Sequence, residues 1–304
     1  MVYVPFFSEP SVQRRNLWKR KGGGGGGGRG GGGGGRGGGG GGGRGGSSGA
    51  ASSGRSVSTG SGAKSASTFS RGGGSVGTIP AGSAFGGRSI GGGTRNDVYG
   101  SRAYGSGYPG VAGAGVAGRG FPFFFWPVAF GAGGVGYGGY HYHSEYGHPR
   151  NGSRPGGQLM VARYNSIAPA TTFRLLADKE SVESVNEVIQ TNCGSSLEGD
   201  ISVEEYDGAD VEPPRPEEVI QYYRASSVAL SLDGYNNTAV FEPENTTTPD
   251  VPLPSNIHLE LLECLNSTIG QAVPLVDGAG ALGTPPGFAM FGLVGLVWML
   301  TSQL

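Results

Sequence analysis

The chain has 304 residues, 65 of them glycine, two cysteines and a formal net charge of −1. So much glycine excludes two ordinary globular domains over that length, because each ordered glycine costs backbone entropy and brings no side chain to a core. The small net charge hides a partition: residues 1–156 hold 17 Lys and Arg against 3 Asp and Glu, and the remainder holds 5 against 20, so two bodies of opposite sign share one chain.

Residues 1–21 read as a basic arm. An apolar patch, "VYVPFF", precedes "QRRNLWKRK"; it is too short for a secretory core and has no basic residue before it. The basic run reads as solvated charge, and its dibasic pairs would suit proteolytic processing. Residues 22–118 form a Gly/Ser/Arg-rich stretch expected to be disordered, since apolar periodicity is missing. Between Gly22 and Gly46 lie 22 glycines and only Arg29, Arg36 and Arg44, and no aromatic residue occurs from Gly22 to Thr68. RNA recognition needs rings to stack on bases, so nucleic acid is not an expected partner and the tract reads as a spacer. Tyr99, Tyr104 and Tyr108 suit transient contacts with arginine. "SGAKS" carries Lys64 and Ser65 as a phosphate loop does, but Ser58 and Ala63 occupy the required glycine positions, and neither a preceding strand nor a following helix is expected.

Residues 119–156 pair an aromatic motif with a Gly/Tyr/His-rich linker. "RGFPFFFWPVAFG" has Pro122 and Pro127, which block a helix, and its roughly ten apolar residues fall short of the about 20 a bilayer span needs. Docking onto the acidic domain is expected, with self-association through the stretch from Phe121 to Phe130 as the intermolecular version. His141, His143, Glu145 and His148 have ligand chemistry but flexible flanks, so no metal or other cofactor is expected.

Residues 157–275 read as one small α+β domain in the order strand, strand, helix, helix, strand, helix. "GQLMVARYN" and "TTFRLLAD" are the first strands; Asp178 caps a helix with Val182, Val185, Val188, Ile189 and Cys193 on one face. "PEEVIQYYRASS" starts with Pro216 as a helix does, "SSVALSLDGYNN" is a strand ending at Asp233-Gly234, and Ser255 caps a last helix bearing Ile257, Leu261, Cys264 and Leu265. The loop "EEYDGADVEPPRPEE" reads as solvated charge without the spacing of a calcium cage. His258 is expected at a helix surface or boundary. Cys193 and Cys264 lie on two apolar stripes near helix ends, and a disulfide between them is expected; closing a loop of about 70 residues stabilises by roughly 4 kcal/mol in the chain-entropy picture. Sequons stand at Asn151, Asn236, Asn245 and Asn266, which together with the cysteines point to the secretory pathway. No nucleophile, base or paired-carboxylate set can be assembled, so an enzyme is not expected.

Residues 276–304 are a spacer and a hydrophobic tail, expected to form a helix. Small residues around Asp277 and Gly278 precede a 14-residue run from Gly287 to Leu300. As a helix that run measures about 21 Å against a bilayer core of about 30 Å. Small residues, spacer and apolar end are the layout of a glycolipid-anchor signal, with attachment at Asp277 or Gly278; a short tail-anchor helix and a core helix are the alternatives.

On "EEVIQYYRASSVALSLDGYNNTAVF", "RGFPFFFWPVAFG" and "CLNSTIGQAVPLV" the chain resembles a group of uncharacterised fungal, basidiomycete-type, glycine-rich surface proteins, from about Ser47 onward. The resemblance implies secretion, a flexible arm, a two-cysteine domain and a hydrophobic tail, and it implies no activity. Its usual signal peptide is not visible at the start of this chain. The expected function is therefore a non-enzymatic, membrane-attached glycoprotein of the cell surface or cell wall, with cell-wall polysaccharide as a candidate partner. The alternatives are an intracellular Arg/Gly/Tyr-rich RNA-binding or condensing protein, an intracellular membrane location through a tail anchor, and a ligand-binding or enzymatic domain at 157–275.

Overall fold

The computed structural model describes residues 54–110, 116–130, 143–208, 213–242 and 248–278. Their elements in chain order are β1 (Gly54–Thr59), β2 (Gly62–Ser67), β3 (Gly77–Thr78), β4 (Ser89–Ile90), α1 (His143–Tyr146), β5 (Leu159–Asn165), β6 (Thr172–Asp178), α2 (Lys179–Cys193), β7 (Ser202–Glu205), β8 (Val219–Tyr223), β9 (Val228–Leu232), α3 (Leu259–Ala272) and β10 (Leu275–Val276). The expected α+β domain is present. A five-stranded antiparallel sheet in the order β7-β5-β6-β9-β8 carries α2 and α3 on one face, where Tyr164 Oη donates to Asn186 Oδ1 at 2.6 Å and Tyr223 Oη to Asn266 Oδ1 at 2.8 Å. The glycine tract and the hydrophobic tail, with its expected helix, lie outside the described residues.

Three local expectations need correction. The segment from Pro216 is not a helix: Pro216–Glu218 is one 3-10 turn and Val219–Tyr223 is a strand. Proline at a first turn suits either, and Val, Ile and two Tyr, all buried on both faces, favour a strand. The last helix starts after His258, not after Ser255. Ile257 turns inward first, and the His258 backbone N–H donates to Thr171 Oγ1 at 3.0 Å. Cys264 consequently sits mid-helix.

The third correction is the largest. Residues 54–110, expected to be disordered, are folded against the domain. β1 and β2 form a hairpin, β2 also pairs with β10, and so Lys64-Ser65 lies within a strand that a strand precedes. Val98 to Ser101 lines the outer edge of β8: Arg224 N–H donates to Val98 O at 2.6 Å, Gly100 N–H to Tyr222 O at 3.0 Å and Tyr222 N–H to Ser101 O at 3.1 Å. An edge strand whose residues are all apolar or bulky needs such a cover. Tyr99 packs on α3 at Gly270, where any Cβ would fall 1.8 Å from the ring, and its hydroxyl donates to Asn266 O at 3.0 Å. Periodicity is missing in this stretch because single aromatics spaced by glycine anchor it one residue at a time.

At the centre lies Arg224, wholly buried and paired with Asp178 at 2.5 Å. Asp178 also accepts the Ser181 N–H at 3.0 Å, the helix cap read from the sequence. Removing one member of a buried pair strands the other's charge, at about 3–5 kcal/mol. Arg224→Met should therefore lower stability by about that much, with the disulfide intact, in guanidinium unfolding followed by circular dichroism. A loss below about 1 kcal/mol would show that the pair is peripheral to stability.

Candidate functional site

Chemistry concentrates where the aromatic motif crosses the tip of the β8–β9 hairpin. The tip holds three consecutive non-glycine residues in the left-handed region, Arg224 (φ 49°), Ala225 (φ 48°) and Ser226 (φ 58°). Each costs about 1–2 kcal/mol and persists only where its surroundings impose it. Here they do: Val128 N–H donates to Ser226 O at 2.8 Å, Gly105 N–H to Ser226 Oγ at 2.8 Å, and Arg224 gives its guanidinium to Ser181 Oγ, Ser227 Oγ, Pro274 O and Asp178. The Phe125 ring lies over that guanidinium at 3.5 Å. Burial lowers the Arg224 pKa and Asp178 opposes that shift.

A second cluster adjoins it. Phe85 meets Phe121, Trp126 and Tyr146 at 5.1, 4.8 and 5.8 Å between ring centres. Arg88 lies over Phe85 and Phe121 and pairs with Glu145. Arg154 is buried; it donates to Tyr146 O at 2.7 Å and Pro127 O at 2.6 Å and faces the Trp126 ring. Burial pushes its pKa down to about 10. Phe121, Phe123, Phe124, Phe125 and Trp126 are all buried, so the motif docks within its own chain. At about 1.5–3 kcal/mol per buried large side chain it is a major part of the core.

Charge also gathers on the sheet face away from the helices. Arg163 and Arg174 are directly opposed on β5 and β6; Asp233 grips Arg174 through two hydrogen bonds at 2.7 and 2.9 Å, and Glu204 stands 3.8 and 3.7 Å from the two guanidiniums. The acidic loop is less solvated than expected, because Glu218 is buried and held by Arg215. A cleft between β1 and α2, lined by Arg55, Phe125, Glu180, Ser181, Ser184 and Pro274, has no room for a water-sized sphere. Burial there raises the Glu180 pKa.

Of the residues singled out in the sequence, Cys193 and Cys264 are joined in a disulfide linking α2 to α3. Asn151 sits in a turn, its Oδ1 accepting from Ser153 N–H and Oγ at 3.0 and 2.7 Å, and Asn236 is exposed beyond β9. Asn266 lies inside α3 beneath Tyr99 and Tyr223, and its Thr268 is buried. Asn245 falls outside the described residues. Asp277 is bound into the small sheet: its N–H donates to Ser65 O at 2.9 Å and its carboxylate accepts from Ser67 Oγ at 2.8 and 3.0 Å; Gly278 follows beside Gly72. His141 lies outside the described residues, His143 opens α1, and His148 Nδ1 accepts from Arg150 N–H at 3.2 Å. Among the described residues no three His, Cys, Asp or Glu side chains gather as a metal site would need.

Comparison with protein-family models, curated proteins and solved structures found no match. Arg224, Arg154, Phe85 and Tyr146 were not legible as site residues. The available signal was a lone arginine set into an apolar run, "YYRASSVALSL", where a surface charge has no place.

The buried rings have a measurable signature. Burial pushes Tyr104, Tyr108, Tyr146 and Tyr164 well above the ordinary tyrosine value of about 10. Their neutral forms favour the fold, a contribution fully present below about pH 10 and lost as pH rises through the folded values. Absorbance at 295 nm should show these four ionising only as the chain unfolds in alkali, and titration near pH 10 without loss of structure would contradict that placement.

Proposed function

We propose that the chain is a non-enzymatic, glycosylated surface protein, tethered at its C-terminal end, with the glycine tract as an extended spacer and the residues from Gly54 to Gly278 as its folded head. The observation that carries this reading is the Cys193–Cys264 disulfide, since such bonds persist in oxidising compartments and are rare in reducing ones. Exposed Asn236 and the turn residue Asn151 support it as glycan acceptors. Asn266 suits that role poorly, because a glycan on it would displace Tyr99 and Tyr223. Asp277 is engaged by β2, which favours Gly278 for anchor attachment.

Two experiments test this. Phospholipase treatment of intact cells expressing the full transcript should release a chain lacking the peptide that ends in Leu304; retention of that peptide in membranes would favour a short tail-anchored helix, and an unglycosylated cytosolic chain would end the surface reading. Separately, Asn151→Gln and Asn236→Gln should each remove one glycan step on denaturing gels. Asn266→Ala should leave mobility unchanged while costing about 1 kcal/mol for the lost Tyr223 hydrogen bond.

A further inference from the structure

Two of the exposed large apolar side chains stand in one short loop. Phe69 is 41% exposed and Val76 69% exposed, and Phe69 is held outward in the left-handed region at φ 60°. The loop between them wraps the point where the chain leaves the fold: Gly73 bridges to Asp277, and Gly278 lies against the Gly72 carbonyl. Gly278, favoured above for anchor attachment, therefore lies beside this loop, and on a chain that keeps its tail only residues 279–286, at most about 29 Å, separate it from the apolar run that starts at Gly287. The same lobe is one-signed. From Gly54 to Asn96 there is no Asp or Glu, while Arg55, Lys64, Arg71, Arg88 and Arg95 are all present. Arg55 is paired with Glu183, Arg88 with Glu145, and Arg95 with the carbonyls of Ser70, Gly270 and Val273; Lys64 lies over Phe124. Arg71, between Phe69 and Val76, is exposed. Asp277, the nearest acid of the departing strand, is turned onto Ser67.

We propose that this loop is a membrane-facing surface: Phe69 and Val76 enter the headgroup region of the bilayer to which the chain is tethered, and Arg71 contacts lipid phosphate. An aromatic and an aliphatic side chain beside a cation suit that boundary, where rings with one apolar side and a wet edge settle and basic groups meet phosphate. The short tether confines the head to the distance at which so small a patch can bind, which it could not do from free solution. The inference rests on the tethered reading above and adds an orientation to it: the β1-β2-β10 sheet turned to the lipid.

The test uses the full chain in vesicles of phosphatidylcholine with phosphatidylserine, carrying Phe69→Cys, Val76→Cys or, as a control, Asn236→Cys, each with a nitroxide label. Flotation reads the tether, and relaxation by oxygen against a water-soluble nickel complex reads depth. Labels at positions 69 and 76 should favour oxygen several-fold over the control, and Arg71→Glu should reduce that contrast. Vesicles that float with all three labels open to nickel overturn the proposal and leave the tether standing. A chain that does not float removes both. Labels at 69 and 76 shielded from both reagents, with chains cross-linking in pairs, would assign the loop to a second copy and overturn the membrane assignment.

Discussion

Arg224 and Asp178 form a buried ion pair, and because either charge left alone in the core would be costly, the rest of the molecule is arranged around keeping them together. Asp178 is the last residue of β6 and the cap of α2 at once, so the pair fixes the strand-to-helix corner. Gly156 passes so close to it that a Cβ would fall 1.9 Å from Oδ1; the chain entering β5 must be glycine there. Arg224 reaches Pro274 O, immediately before β10, which ties the hairpin tip to the end of α3. The left-handed run at residues 224–226 is the conformation that turns the guanidinium inward, and its strain is offset by the four acceptors it reaches.

That centre needs a roof, and the basic, glycine-rich part of the chain supplies one. Phe125 covers the guanidinium, Val98 to Ser101 occupies the open edge of β8, and Tyr104 meets Tyr222 edge to face at 5.6 Å. The opposite charges of the two halves of the chain therefore do not separate two bodies at residue 156. Arg55 with Glu183 and Arg150 with Asp207 hold charges from the two halves together. Exposed pairs of this kind contribute little; most of the attachment comes from the buried rings.

What could be read from the sequence follows from how each element is stabilised. β5, β6, β9 and α2 were legible because each draws on local signals: an alternating or fully apolar run, a capping Asp, an Asp-Gly turn. β8 was misread because Pro216 starts a helix or a 3-10 turn equally well, and the choice is made by β9 on one side and residues 98–101 on the other. The order in residues 54–110 was invisible because glycine gives no periodicity, and its reason lies elsewhere in the chain, in a face and an edge that need covering. The cysteine pair was legible from composition. The arginine knot was not, since nothing local distinguishes Arg224 from a surface arginine until the aspartate at 178 is known to face it.

The small sheet joins the first and last described strands of the chain. Gly54 and Leu275 both pair with Ser67, one on each side of β2, so the first and last described strands lie only two strand spacings apart, about 10 Å. β1 and β10 both run antiparallel to β2 and hence parallel to each other. Ser67 is the joint of that sheet: its backbone meets both neighbours and its hydroxyl holds Asp277. The small sheet and the Arg224 core meet at Pro274, whose carbonyl accepts a guanidinium hydrogen bond one residue before β10.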